Sequence, residues 1–243
     1  MRNNYVYFDG KSSLDFKAFI TDAGVYKSPA HSYEKVSVPG RNGDLLIEND
    51  KYENIEHSYP MVIIDEFDHN FDALKAYFLS KKGYLRLSDT FHPDEFYKAT
   101  FSRFENIRTT IGKKMGSFVV VFDRKPQKYL KSGEKTYEFT QDGSIKNPTL
   151  FDALPLIRVY GVGGIRIGGI LVMIESTTAT GYIDLDCEMQ EAYCNGVYCN
   201  DKIELVNGDF PKLSAGINEI AFIENASQSI PSRVIITPNW WRV

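Results

Sequence analysis

Most of the chain alternates apolar and polar residues with a period of two, as strands do when one face meets a core and the other meets solvent. Tyr5–Phe8, Tyr84–Leu87, Thr136–Phe139, Ile203–Val206 and Ile217–Phe222 follow this rule. Met61–Ile64, Phe118–Phe122, Ile170–Ile174 and Val234–Ile236 are instead short, continuous apolar runs, rich in β-branched residues and flanked by Gly, Pro, Asn or Asp. Runs of this kind suit strands covered on both faces. The fold predicted is mainly β.

One segment departs from the pattern. Between Asn70 and Gly83, Phe71, Leu74 and Phe78 recur at helical spacing and define one apolar face. Asp68 or Asn70 can cap the first free amides, Asp72 suits the positive end, and Lys81 and Lys82 suit the negative end. Gly83 can take the left-handed conformation that ends a helix. The expectation is one helix at about 70–82, packed on a sheet of the first half.

The charged stretch from Asp123 to Lys135, which carries Pro126 and Gly133, offers little to anchor a core. It separates a predicted α+β unit, residues 1–128, from a predicted all-β sandwich, residues 132–243. With 243 residues, two modest domains fit the usual domain size.

Composition adds four things. Aromatic residues reach 14%, with 15 Tyr and 16 Phe, which favours half-buried sheet surfaces and protein contacts. The formal charge is −4 with the basic residues scattered, which argues against free nucleic-acid binding. No apolar run is long enough to span a membrane, and the N-terminal segment from Met1 to Asp9 lacks the apolar core of a signal peptide. Three cysteines, Cys187, Cys194 and Cys199, match no zinc spacing and no disulfide framework. They are expected to be small buried hydrophobes of a chain made in the cytosol.

No segment announces catalysis. The glycines from Gly161 to Gly169 miss the dinucleotide pattern, because Arg166 stands at its sixth position and a strand follows. They read as tight turns. Asp184, Asp186 and Glu188 lie at period two and would share one strand face, a row that some β-sandwich glycosidases use. The plainer reading is an acidic solvent face above Ile183, Leu185 and Cys187. The chain ends in a strand, a proline and two tryptophans, Trp240 and Trp241. Adjacent tryptophans at a chain end imply an anchor, either on the domain's own core or on another chain. No catalytic residue, metal site or cofactor is predicted.

Seven segments, in order along nearly the whole chain, resemble the distal tail protein (Dit) family of phages with long non-contractile tails. They are Phe8–Phe16, Val38–Leu46, Gly116–Pro126, Asn147–Gly161, Tyr182–Glu188, Gly208–Gly216 and Ile236–Arg242. The second resembles the family's Pro-Gly-Arg-Asp-Gly turn, with Asn42 in place of Asp. The last has Asn239 where the family normally reads Arg. At 243 residues the chain resembles the short form, without an inserted carbohydrate-binding module.

The resemblance implies a structural, non-enzymatic protein of the virion tail tip, made in the host cytoplasm. Its N-terminal domains would form the wall of a homo-hexameric ring, alone or as two stacked rings. Its C-terminal, galectin-like β-sandwiches would project outward. Partners implied are the tail tube protein, the tail fibre or lysin hub, and receptor-binding or baseplate proteins, with DNA only as passing cargo. Six copies at −4 each sum to −24, and such a conduit would let DNA slide if its acidic groups face the bore. The candidate contact is the turn Gly40-Arg41-Asn42-Gly43, whose plainer reading is a solvent-facing hairpin. The candidate anchors are Trp240 and Trp241. A lectin-like module and a cell-wall glycosidase are the alternatives.

Overall fold

The computed structural model describes residues 4–22, 27–110, 112–177 and 181–243, so the first three residues of the N-terminal segment read above lie outside the described residues. Two compact units divide the chain: residues 1–128 with Val243, and residues 129–242.

In chain order the strands of the first unit are β1 (Val6–Phe8), β2 (Lys11–Ser12), β3 (Ala18–Ile20), β4 (His31–Val36), β5 (Leu45–Tyr52), β6 (Ile55–Ile63), β7 (Leu85–Asp89), β8 (Glu95–Thr109) and β9 (Gly116–Leu130). The last two residues of β9 belong to the second unit. Within an eight-stranded sheet, seven strands run in the order β2-β1-β7-β8-β9-β6-β3, while β4 and β5 form a two-stranded ribbon of their own. In β6, Ile55, His57, Tyr59, Met61 and Ile63 are buried and the residues between them are more exposed, so the period-two pattern is read directly in burial.

The helix α1 (Phe67–Leu79) covers one part of that sheet. Phe67, Phe71, Leu74 and Phe78 are its buried apolar residues; Phe71 meets Phe118 at 4.9 Å and Phe78 meets Phe122 at 5.6 Å between ring centroids. The helix begins and ends three residues earlier than the sequence suggests. Phe67 stacks on Phe71 at 5.2 Å, and Gly116 leaves the space its ring occupies: a Cβ there would sit 2.4 Å from it. Burying this ring draws the preceding turn into the helix. Asp68 therefore lies in the first turn and is not a cap, and the Asn70 amide donates to the Asp65 carbonyl at 2.8 Å. Lys81 lies beyond the helix and pairs with Asp9, and Gly83, at φ +74°, serves the turn into β7.

The second unit is a sandwich of two antiparallel sheets. Its strands are β10 (Tyr137–Phe139), β11 (Gly143–Asn147), β12 (Leu156–Tyr160), β13 (Gly163–Ile167), β14 (Ile170–Ile174), β15 (Tyr182–Asp186), β16 (Glu191–Cys194), β17 (Val197–Tyr198), β18 (Ile203–Leu205), β19 (Gly216–Ile223), β20 (Arg233–Thr237) and β21 (Trp241–Arg242). One sheet runs β10-β20-β12-β15-β16-β17 and the other β11-β19-β13-β14-β18. Ile157, Val159, Ile183, Leu185, Val234 and Ile236 from the first interdigitate with Ile165, Ile167, Val172, Ile174 and Ile220 from the second. The mainly β class with one α-helix among the described residues is as the sequence predicts.

Candidate functional site

The turn Gly40-Arg41-Asn42-Gly43 lies in the loop joining β4 to β5, at the tip of the ribbon. Gly40 and Gly43 have φ of +79° and +82°, a region that side-chain-free residues occupy without strain. Arg41 is exposed and its backbone amide donates to the Val38 carbonyl at 3.2 Å. Every described residue from Tyr33 to Lys35 and from Ser37 to Asn49 is exposed. Across the ribbon Val36 faces Leu45, Lys35 faces Leu46 and Glu34 faces Ile47. Leu45, Leu46 and Ile47 are 41%, 50% and 44% exposed, an apolar run with no core beneath it. A two-stranded hairpin is only marginally stable alone in water. This arm carries surface suited to docking.

At the other end of the chain, Trp240 is buried within the core of the second unit, and the residues around it explain why. Its carbonyl accepts from Leu130 N at 2.8 Å, and Asn239 N donates to the Gly133 carbonyl at 2.9 Å. A Cβ on Gly133 would stand 2.4 Å from the Trp240 nitrogen, so only glycine lets the two segments approach. Trp241 stacks on Phe151 at 4.6 Å and its indole N–H donates to the Asp152 carbonyl at 2.9 Å. Asn239 adopts φ +57°, which Asn tolerates well, and its side-chain amide reaches the Leu154 carbonyl. Both tryptophans are thus held by their own unit.

The acidic row does not assemble. Asp184 is engaged by Arg158 through two parallel bonds of 2.6 and 2.9 Å, and that hydrogen-bonded carboxylate raises the Arg158 pKa further above its already high value. Asp186 ends β15, and its Oδ1 accepts the backbone amides of Glu188 and Met189. Glu188 lies in the following turn, off the strand face. Below them Ile183, Leu185 and Cys187 are buried, which is the plainer of the two readings. Gly161, Gly168 and Gly169 lie in the turns flanking β13, whereas Gly163 and Gly164, read from the sequence as turn residues, open the strand itself, and no helix follows them.

One expectation about the cysteines is corrected. Cys194 and Cys199 form a disulfide, with Cα atoms 5.8 Å apart; Cys187 alone is free, and burial raises its thiol pKa. The cause is the hairpin of β16 and β17, whose turn residues Asn195 and Gly196 have φ of +53° and +78°. That tight turn brings the flanking positions together. The Asn-Gly pair is the sequence signal that locates it.

A buried polar cluster in the first unit has no counterpart in the sequence reading. The Tyr59 hydroxyl donates to Asp89 Oδ2 at 2.8 Å, and Asp89 Oδ1 accepts the amides of Phe91 and His92, each at 2.9 Å. His57 packs edge-on against Tyr59 at 4.4 Å, and the Arg124 guanidinium lies 4.2 Å over the Tyr97 ring. Burial, reinforced by the nearby Arg124 charge, lowers the His57 pKa to about 4. Burial lifts the Tyr97 pKa to about 12.

No protein-family model matches this chain, and no curated protein matches it. Solved structures do. The crystal structure of the Dit protein (gp 19.1) of phage SPP1, described as a paradigm of the hub adsorption apparatus in phages infecting Gram-positive hosts, aligns with a TM-score of 0.71 at 14% identity over 99% of both chains. A chain of the phage P2 baseplate, in its activated conformation with calcium, aligns at 0.56 and 9% identity over 97% of each. The phage p2 baseplate activated with strontium gives 0.52 and 10% identity over 100% of this chain and 98% of that one. The chain has a Dit-like fold, as its sequence resemblance implies.

Proposed function

We propose that the chain is a structural hub protein of a phage tail tip, working by oligomerisation and docking and not by catalysis. Copies of it close into a six-fold ring, single or stacked in pairs. The ring joins the tail tube protein to the tail fibre or lysin hub, holds receptor-binding or baseplate proteins outside, and lets DNA pass through its bore. The observation that carries this reading is the match in fold along 99% of both chains to a phage hub protein. The turn Gly40–Gly43 and the arm behind it supply the contact: ring closure needs two different patches on each subunit, and Leu45, Leu46 and Ile47 supply one. Trp240 and Trp241 serve as internal anchors of the sandwich.

Light scattering and negative-stain microscopy of the purified chain test the reading. Annular particles of six or twelve subunits are expected. Replacing Leu46 and Ile47 together by Asp should shift the population to lone subunits with unchanged far-ultraviolet circular dichroism. A wild type that stays a single subunit at high concentration, and is missing from intact virus particles, overturns it.

A further inference from the structure

The chain holds three Asn-Gly pairs: Asn42-Gly43, Asn195-Gly196 and Asn207-Gly208. Asparagine is a chemically labile residue, and a following glycine makes it more so. Glycine has no side chain to hinder its amide nitrogen and its backbone turns freely. That nitrogen can therefore reach the carboxamide carbon of the asparagine before it, unless the fold holds the two apart.

Two of the pairs are held. The Asn207 Oδ1 accepts the Leu171 amide at 3.1 Å, and the Gly208 amide donates to the Leu205 carbonyl at 2.9 Å, so both reacting ends are engaged. Asn195 and Gly196 make the turn between β16 and β17. Cys194 pairs with Val197 across it, and the Cys194–Cys199 disulfide closes its base. Neither pair can swing toward cyclisation without first opening locally. Asn42 has no such restraint. It is exposed and lies between β4 and β5, outside both strands. Among the described residues its side chain and the Gly43 amide make no hydrogen bond; the bond from the Arg41 amide to the Val38 carbonyl ties only the residue before it. The ribbon behind the turn has no core beneath it, so local motion there costs little.

We propose that Asn42 is a site of spontaneous deamidation in the folded chain. The Gly43 nitrogen, its proton taken by hydroxide, attacks the Asn42 Cγ. A bond forms between them, the Cγ–Nδ2 bond breaks, and ammonia leaves with a proton from water. Water then opens the cyclic imide at either carbonyl, leaving Asp or its β-linked isomer. No oxidant or reductant takes part. Either product places a carboxylate between Arg41 and Asp44, so the turn passes from balanced charge to net acidic, one negative charge beyond the chain's −4. On the hub reading above, this is the contact turn, and a subunit left unassembled comes to present a changed surface to its neighbour.

Peptide mapping by mass spectrometry, after incubation of the full chain at mildly alkaline pH, tests the site. The wild type is followed beside the double variant Leu46→Asp, Ile47→Asp, in which ring closure does not cover the turn. Asn42 should convert at least about tenfold faster than Asn195 or Asn207, which react only through local opening. Asn42→Gln should remove the early acidic species from isoelectric focusing. Reduction and unfolding in urea should bring the three rates together. Fast conversion in both proteins supports the site and leaves the ring to be judged by microscopy. Fast conversion in the double variant alone supports the site and shows the turn covered in the wild type. Asn42 as slow as the other two in both proteins, or the same ranking of rates in urea, overturns the proposal.

Discussion

Mild acid should weaken the first unit through His57. Its pKa falls from 6.5 to about 4 in the folded state, chiefly because burial disfavours the charged ring. The unfolded chain therefore takes up the proton first as pH drops. Stability from this group is complete above pH 6.5 and is lost progressively as pH falls toward about 4. At ~1.4 kcal/mol per pKa unit, the full loss is about 3 kcal/mol, a large share of a typical domain's stability. Carboxylates held below their ordinary range, among them Glu56 and Asp65, lose their contributions only at lower pH, so the two windows separate. Both tryptophans lie in the second unit, so their fluorescence reports that unit, and the first is followed by the NMR signals of its own residues during urea unfolding. The decisive quantity is the wild type minus His57→Gln. That difference should grow by about 1 kcal/mol per pH unit inside the window and be flat above it. A difference constant to within about 0.5 kcal/mol from neutral pH down to about 4, or an NMR titration placing the His57 pKa near 6.5, refutes the reasoning.

Two further outcomes follow from the second unit. Trp240→Ala should cost about 3–5 kcal/mol in chemical denaturation followed by circular dichroism, and Trp241→Ala distinctly less, since only Trp240 is wholly buried; equal small losses would contradict the anchor. Reducing the Cys194–Cys199 bond, or replacing either residue by Ser, should cost about 2 kcal/mol, the loop-closure value for so short a loop. Alkylation under denaturing conditions should find one thiol before reduction and three after, and three from the start would show that no such bond exists.

What the sequence reveals depends on how locally each feature is determined. Alternation in Ile217–Phe222 and the apolar run Phe118–Phe122 name their strands because burial of every second or every residue leaves its mark on composition. The helix was legible by its face, Phe71, Leu74 and Phe78, but its start was set by a distant event: the Phe67 ring filling the space that Gly116 leaves on β9. The arm strands His31–Val36 and Leu45–Tyr52 left no such mark, since a ribbon that buries nothing imposes no alternation, and only the turn at its tip, Gly40 to Gly43, stood out. The polar cluster of His57, Asp89, Tyr97 and Arg124 draws on four strands or their ends, and no spacing within one segment could announce it.

The same contrast bears on how such a chain works. The second unit builds its core sheet against sheet, and ties its own last strand down with Trp240 and Gly133. The first unit builds its core between α1 and the sheet, and leaves a ribbon with Leu45, Leu46 and Ile47 in solvent. Free strand edges carrying aliphatic residues invite unselective pairing, and Glu34, Lys35, Glu48 and Lys51 interleave charge along both strands of this one. Charge at that density penalises pairing with an arbitrary strand while permitting a surface that offers complementary charges at matching positions. An arm so patterned is poorly suited to being buried by chance and well suited to one defined neighbour, as the proposed hub role requires.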